Sequence, residues 1–372
     1  MSAAEPIVTV LTSAVGLGIY IPALLIERQL RARQLAVELE VLEGYYTRAY
    51  REAHLAHRDA HHASFALAKL AHQMARGVEH CLDDALVQAL LARWLQQERR
   101  HFIVWAGFWL PLLERYRRML GARRLEVDHC RIDAVVSASF RVHPELDGAG
   151  HEVWLWSWAR RRIEHEIPVS DETPLPFAAR GDRLVVHGGG WGIGTYQTTV
   201  PELAQTRYAL DVVIHDFAEA PPPRVDDRAF MLDPGWCAWV RDAAGISTFP
   251  PMIEVSDRAR RNTLHNVDHH PMYNVIRASK AIISKPGGCT LVDSLASATP
   301  VVLLEPYGYG EESNARLWEH MGFGISYAAW RATGYDPEVL TRLHANILNR
   351  TRGVDYPRAY AEQLLERAGE AL

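Results

Sequence analysis

A chain of 372 residues with 48% apolar content exceeds what one hydrophobic core usually organises, so two domains are expected. Lys and Arg number 40 against 45 Asp and Glu, a formal charge of −5, which excludes the basic excess that a nucleic-acid partner requires. Cys81, Cys130, Cys237 and Cys289 have neither metal-ligand spacing nor the density of a secreted disulfide scaffold, which fits a reducing cytoplasm.

The run from Ile7 to Ile26 carries no charge and approaches the length of a membrane span. Gly16, Gly18 and Pro22 interrupt it, and Glu5 stands where a signal peptide would be basic, so no membrane insertion is expected. The pattern reads as a strand, Ile7 to Leu11, a Gly16-Leu17-Gly18 loop and a helix through Leu30, the opening of a βα unit. Ala36 to Leu42 predicts a second strand, with Glu43 at its carboxyl side. From Ala49 to Trp94 the spacing is helical, Leu67, Leu70 and Met74 sharing one face. His54, His57, His61, His62 and His72 lie in that stretch; no acidic ligand pattern accompanies them, so they read as a solvated face without a role.

Phe102 to Pro111 predicts a buried strand breaking into a loop, followed by a helix through Met119. Leu125-Glu126-Val127 reads as a strand that ends at Asp128 and His129, where open α/β sheets place ligands. Ala134 to Phe140 is the next apolar stretch, and Val153 to Trp158 alternates as a strand. Pro168 to Pro176 has no clear period and is assigned as the interdomain linker. Strands recur at Leu184 to His187, Ala209 to Ile214, Ala281 to Ile283 and Val301 to Leu304, with Pro221 to Pro223 as a surface loop and two helical pieces from Asp336 onward. Alternating strands and helices in both halves predict α/β architecture with parallel sheets covered on both faces.

The chemistry concentrates in the second half. Ser284 to Thr290 reads S-K-P-G-G-C-T ahead of a helix that contains Asp293. A glycine turn feeding a helix N-terminus offers free N–H groups and a positive dipole end to a diphosphate. A carboxylate at Asp293 can accept from both hydroxyls of a ribose. An ordinary strand-to-helix turn would explain the glycines equally well. Farther on, Glu305 to Ala315 reads E-P-Y-G-Y-G-E-E-S-N-A.

Together these blocks resemble the C-terminal signature of the nucleotide-sugar glycosyltransferases that include diacylglycerol glucosyltransferases, galactolipid synthases and the peptidoglycan N-acetylglucosaminyltransferase. Their pattern is K-P-G-G-x-T, an acidic residue three positions later, a strand, then P-x-x-G-x-E-E-x-N. The resemblance is specific from about Leu184 to Gly324. It implies a GT-B fold of two Rossmann-like domains facing across a cleft: 1–175 for the acceptor, 176–350 for the donor, and a C-terminal helix, 351–372, packing back on the first. It implies that Gly287, Gly288, Cys289 and Thr290 hold the diphosphate, Asp293 the ribose, and Gly310, Glu311, Glu312 and Asn314 the sugar. Gly189, Gly190 and Trp191, in the loop after His187, would form a further phosphate-facing turn, Trp191 stacking on a ring or plugging the crevice. Met272 would lie near the nucleobase, or belong with Tyr273 to the core. Gly16 and Gly18 would face the cleft from the first domain.

Many relatives carry a histidine base in that first loop. Ile19 stands there in this chain. A base is still required to take the acceptor's proton, and the candidates are Asp128, His129, Glu43 and Asp133. Asp128 leads because it follows the predicted strand, with a helix N-cap as its alternative role. The resemblance further implies UDP as the nucleotide and inversion at the anomeric carbon; no metal or other cofactor is expected, because helix dipoles and backbone N–H groups can neutralise the leaving diphosphate and the chain has no Asp-x-Asp motif. The pattern also resembles bacterial UDP-glucuronosyltransferases, including cytosylglucuronic acid synthases of antibiotic pathways in secondary metabolism. A glucuronate would need a cation such as Arg131, Arg141 or Arg316. A nucleotide-sugar 2-epimerase and a non-catalytic nucleotide-sugar binder use the same architecture. Phe102 to Leu113, followed by Arg115, Arg117, Arg118, Arg123 and Arg124, would suit a lipid acceptor but reads better as a buried strand and a basic helix face. A small soluble acceptor, with a nucleobase among the candidates, is therefore expected.

Overall fold

The computed structural model describes residues 6–74, 76–222, 224–255 and 261–370; Pro223 of the expected proline loop, Glu5 and the last two positions of the C-terminal segment lie outside them. The first sheet contains β1 (Ile7–Thr12), β2 (Ala36–Val41), β3 (His101–Val104), β4 (Glu126–Arg131) and β5 (His151–Trp154) in the order β2-β1-β3-β4-β5, every pair parallel. Parallel strands need cover on both faces. α1 (Tyr20–Ala32) supplies one side, its Leu24 and Leu25 buried with Val8 and Val10. α4 (Asp84–Gln96) and α5 (Leu110–Leu120) supply the other, packing Leu90, Trp94 and Leu113 on Phe102 and Val104. Asp83 starts α4 by accepting from the backbone N–H groups of Ala85 and Leu86. Among the described residues no helix is long and apolar enough to cross a membrane.

The second sheet runs β10-β9-β8-β7-β6-β11-β12-β13, formed by β6 (Arg183–His187), β7 (Ala209–Ile214), β8 (Arg228–Leu232), β9 (Met252–Val255), β10 (Arg261–Leu264), β11 (Ala281–Ser284), β12 (Val301–Leu303) and β13 (Gly324–Ser326). Six of these strands are parallel, while β9 and β10 extend one edge antiparallel. The order reverses at β6, beside which β7 and β11 lie, and that is where an open α/β sheet leaves a crevice at its carboxyl edge. The longer helices of this half are α6 (Tyr196–Leu203), α7 (Gly288–Ser297), α8 (Tyr309–Met321) and α9 (Pro337–Leu348). α8 ends at Gly322, whose φ of 68° suits glycine at this position. α10 (Tyr356–Glu370) returns to the first sheet, where the Tyr356 hydroxyl donates to Asp128 Oδ2 at 2.7 Å.

The long connection between β2 and β3 carries α2 (Arg48–Ala63) and α3 (Phe65–Gln73). It does not stay over its own sheet. His62 Nδ1 lies 2.7 Å from the Gly192 carbonyl, His215 Nε2 lies 3.1 Å from Asp59 Oδ1, and Lys69 pairs with Glu305. The histidine-bearing face expected to be solvated is therefore turned toward the second half. Leu67, Leu70 and Met74 stay exposed.

Asn314 joins the halves. Its Oδ1 accepts from Ala134 N at 2.7 Å and Trp156 Nε1 at 3.0 Å, and its Nδ2 donates to Asp133 Oδ1 at 2.9 Å and the Pro286 carbonyl at 3.0 Å. The amide is fully buried and has no capacity left for a sugar hydroxyl, which corrects the sugar-contact role expected for it. Two glycines matter to the same junction through close approach. A Cβ on Gly190 would meet Leu17 Cγ at 2.5 Å, and one on Gly288 would collide with the Ile132 side chain.

Replacing Asn314 with Ala strands two donors, a carboxylate and a carbonyl in the interior and should cost about 3 kcal/mol, read as a lower urea midpoint. Gly288→Ala should cost about 1–3 kcal/mol through overpacking, read as a lower urea midpoint, and Ile132→Ala in the same chain should restore part of it.

Candidate functional site

The carboxyl edges of the two sheets face each other across one cleft. From the first half come Gly16, Leu17 and Gly18, which follow β1; from the second come His187, Gly189 and Gly190, which follow β6, and Lys285, Gly287 and Thr290, which follow β11. Met272 and Asp293 complete the wall. Gly16, Gly18, Gly189, Gly190, Met272, Gly287, Cys289, Thr290 and Asp293, all predicted for the donor, are thus brought together. Tyr273 is core, 1% exposed.

Each part of the cleft is held in place. Glu43, fully buried, accepts from Ser13 Oγ at 2.5 Å and Ala14 N at 2.8 Å, so it fixes the start of the first glycine loop. Burial raises its carboxyl pKa against those two hydrogen bonds. The residue has no open side toward an acceptor, which corrects its candidacy as a base. His187 accepts from Gly189 N through Nδ1 at 3.0 Å; burial pulls it down to about 3, with Lys285 and His270 adding to the fall, so it is a neutral brace of the second loop. Gly287 is the N-cap of α7 and Thr290 stands in its first turn, so the N–H groups and dipole of a ten-residue helix open on the cleft. Asp293, 3% exposed, is oriented by His270 Nε2 at 2.9 Å.

His270 and Lys285 carry no individual role in the sequence reading. His270 sits in the stretch His269 to Tyr273, near which the nucleobase is expected, and Lys285 is the K of the glycine block. Lys285 Nζ forms an ion pair with Glu311, which also accepts from Tyr307 N at 2.7 Å. Glu312, expected on the sugar, is exposed and lines an outer groove with Arg76 and Arg141 instead. Gly310, expected on the sugar, does not reach the cleft. It packs against Asp133, where a Cβ would lie 2.6 Å from Oδ2.

Beside this cleft, and sharing Gly18 with it, is a chamber roofed by α2. Tyr46, Tyr50, Trp105, Phe108, Trp191 and Tyr307 supply aromatic walls, and His54, His57, His61 and His72 line it as well. Burial lowers His54 to about 4, helped by His57 and Arg58; burial also lowers His61 and His72. At neutral pH His54 is therefore uncharged. Trp191 stands edge-on to His54 with ring centroids 5.0 Å apart and lines the chamber rather than the cleft. Ile19 lines the same space, its carbonyl accepting from Thr12 Oγ1 at 3.1 Å.

Two base candidates fall elsewhere. β4 does not stop at Val127 but runs to Arg131, which places Asp128 and His129 within the strand. Asp128 is held by Tyr356 and lies 3.5 Å from His151 in a separate cavity under α10. His129, 1% exposed, pairs with Asp147 at 3.1 Å. Neither lines the cleft or the chamber. The residue that does emerge after the strand is Asp133, which lines the chamber beside Glu311 and Gly310. Burial raises its carboxyl to about 6; the Asn314 hydrogen bond opposes this, the Glu311 charge adds to it, and Lys285 and Arg141 oppose it. Of the arginines named for a sugar carboxylate, Arg131 is buried against Asp147 and Glu152 and Arg316 stacks on Trp158. Arg141 stacks on Tyr309 at the groove bordering the chamber.

No family model and no curated protein matches the chain. Solved structures do. MurG of Acinetobacter baumannii superposes with a TM-score of 0.53 at 11% identity, covering 97% of this chain and 100% of that one. The glycosyltransferase SnogD from Streptomyces nogalater gives 0.54 at 14% identity, covering 98% and 99%. At such identities the likeness establishes architecture alone: the chain has the GT-B fold, two Rossmann-like domains facing across a cleft.

Proposed function

We propose that this protein is a glycosyltransferase that moves a sugar from a nucleoside diphosphate sugar in the cleft to a small-molecule acceptor in the aromatic chamber, with Asp133 as the base. The observation that carries the reading is the position of Asp133: it lines the chamber next to Glu311, whose ion pair with Lys285 reaches the donor cleft. UDP is the proposed nucleotide, and glucuronate or a neutral hexose the proposed sugar, on the resemblance of the K-P-G-G-C-T and E-E-S-N blocks. Arg141 is the arginine available to a glucuronate. SnogD, which shares the architecture, is a glycosyltransferase, in agreement with this reading.

In the proposed reaction the acceptor's hydroxyl or N–H attacks the anomeric carbon while Asp133 takes its proton. The bond from that carbon to the diphosphate oxygen breaks, and its electron pair leaves with the nucleotide. The N-terminus of α7 and the loop N–H groups take up the developing charge, so the step requires no metal. Direct displacement inverts the anomeric centre. Neutral imidazoles at the chamber wall add hydrogen-bonding capacity without charge, and aromatic rings favour a flat acceptor. The chain then works in the cytoplasm, where nucleotide sugars are consumed, without a tightly held cofactor.

Three outcomes test the reading. Calorimetric titration with UDP and UDP-sugars in metal-free buffer should give saturable binding, and Asp293→Ala should weaken it by about 10- to 100-fold, the worth of hydrogen bonds to a charged group. Asp133→Asn should leave that binding intact and lower kcat by about 10²- to 10⁴-fold, whereas Asp128→Asn should leave kcat unchanged. A base with its carboxyl at about 6 in the free protein is active only when ionised, so kcat/KM should rise with pH through about 6, and the Asp133→Asn variant should lack that limb. Binding without turnover in the wild type for any acceptor, or turnover that survives Asp133→Asn, would overturn the catalytic assignment.

A further inference from the structure

His270, Cys289 and Asp293 meet in the donor cleft with one ligand atom each, all within 4.8 Å of one another. His270 Nε2 is 2.9 Å from Asp293 Oδ1, and Cys289 Sγ is 3.8 Å from Asp293 Oδ2. Among the described residues this is the group of histidine, cysteine and carboxylate that converges so closely. Two ligands of a tetrahedral zinc ion, each about 2.0–2.3 Å from it, stand roughly 3.3–3.8 Å apart, so the three atoms need only small rotations to take up that spacing. His270 and Asp293 are buried and Cys289 partly so. Cys289 and Asp293 are four residues apart on α7, hence on one helical face. Cys289 fills the variable position of the K-P-G-G-x-T block, so the thiol is a feature of this chain rather than of the pattern.

We propose that His270, Cys289 and Asp293 form a binding site for a thiophilic divalent cation of the zinc type, and that the cation and the nucleotide exclude one another. The exclusion rests on the donor reading above, in which Asp293 receives the ribose; the metal site itself does not. Sulfur, imidazole and carboxylate together are a ligand set for zinc and cobalt rather than for magnesium or calcium. On binding, the Cys289 thiol releases its proton to solvent as the sulfur–metal bond forms. The Nε2 proton of His270 moves to Nδ1, freeing the Nε2 lone pair. A thiolate and a carboxylate then balance the two positive charges of the ion, so the ligand cluster is neutral in a buried setting where net charge is costly. The carboxylate that would receive the ribose is occupied, and a transferase that needs no metal becomes one that such a metal inhibits.

The test uses the full chain, freed of metal and titrated with cobalt(II), whose bond to a thiolate gives a near-ultraviolet charge-transfer band. The band should appear in the wild type, vanish in Cys289→Ser and persist in Cys237→Ser, whose thiol lies outside the donor cleft. His270→Ala keeps the thiol and should weaken cobalt binding by at least about tenfold, which guards against a Cys289 variant that fails to fold. UDP added to the cobalt-loaded chain should abolish the band, and zinc should displace cobalt silently. Absence of the band in the wild type, or its survival in Cys289→Ser, overturns the site. A Cys289-dependent band that persists at UDP concentrations shown by calorimetry to saturate the chain overturns the exclusion. A Cys289-dependent band in a chain that binds no nucleotide upholds the metal site and removes the donor reading instead.

Discussion

The buried amide of Asn314 is the constraint on which the arrangement of the cleft depends. An amide side chain has two lone pairs on oxygen and two N–H donors, and here each is taken, the partners coming from Ala134, Trp156, Asp133 and Pro286. Pro286 belongs to the glycine block after β11, Ala134 and Asp133 to the loop after β4, and Trp156 to the segment following β5. One side chain on α8 therefore sets the distance between the loop that would grip a diphosphate and the loop that offers a carboxylate. A fully paired amide inside a low-dielectric region tolerates little displacement, because moving any partner leaves a buried polar group unsatisfied.

The glycines have a second meaning in this setting. A glycine-rich turn at a helix N-terminus is usually explained by what it does for a phosphate. Gly288 sits under Ile132 and Gly190 under Leu17, so in each case the missing side chain also lets a loop of the opposite half come into contact. Binding and interdomain packing ask for the same residue type at the same place. Substitutions there alter both at once, which is why a compensating change across the junction, at Ile132, separates the two contributions.

Much of this architecture is legible in the sequence. The strand, glycine loop and helix of residues 7–32 and the strands leading into His187, Ser284 and Leu304 are written in runs of apolar residues punctuated by glycine. Other parts are not. β4 continues through Asp128, Cys130 and Arg131 because Asp128 finds Tyr356 of α10 and Arg131 finds Asp147 and Glu152; polar residues stabilised by partners distant in sequence look locally like the end of a strand. The antiparallel pair β9 and β10 lies at a sheet edge, where pairing rather than periodicity defines the strands. The histidines of α2 look like a solvated face. Tyr50, His54, His57 and His61 recur at the spacing of one helical face, a signal present in the sequence, but its meaning depends on α2 crossing to the other half. Gly16, Gly18, Gly189, Gly190 and Gly287 converge on one cleft, whereas Asn314, Glu312, Gly288 and Gly310 lie elsewhere, since the pattern that identifies a block does not specify which of its members carry the fold.

The same amide also bears on how the chain could dispense with a loop histidine. Ile19 closes that route, since its side chain has no proton to exchange. A carboxylate of ordinary acidity is a weak base toward a hydroxyl, and it improves as its pKa approaches the working pH. At Asp133, burial and the charge of Glu311 raise the carboxyl while Asn314, Lys285 and Arg141 hold it down, and the balance falls at about 6. That is high enough to accept a proton in the course of reaction and low enough to be ionised at neutral pH. Lys285 is the adjustable member of the set, because it pairs with Glu311 in the free cleft and lies in the loop that would receive a diphosphate. A diphosphate that drew Lys285 away from Glu311 would leave the Glu311 charge less compensated beside Asp133 and raise its carboxyl further, so in the proposed reaction donor binding would itself strengthen the proposed base.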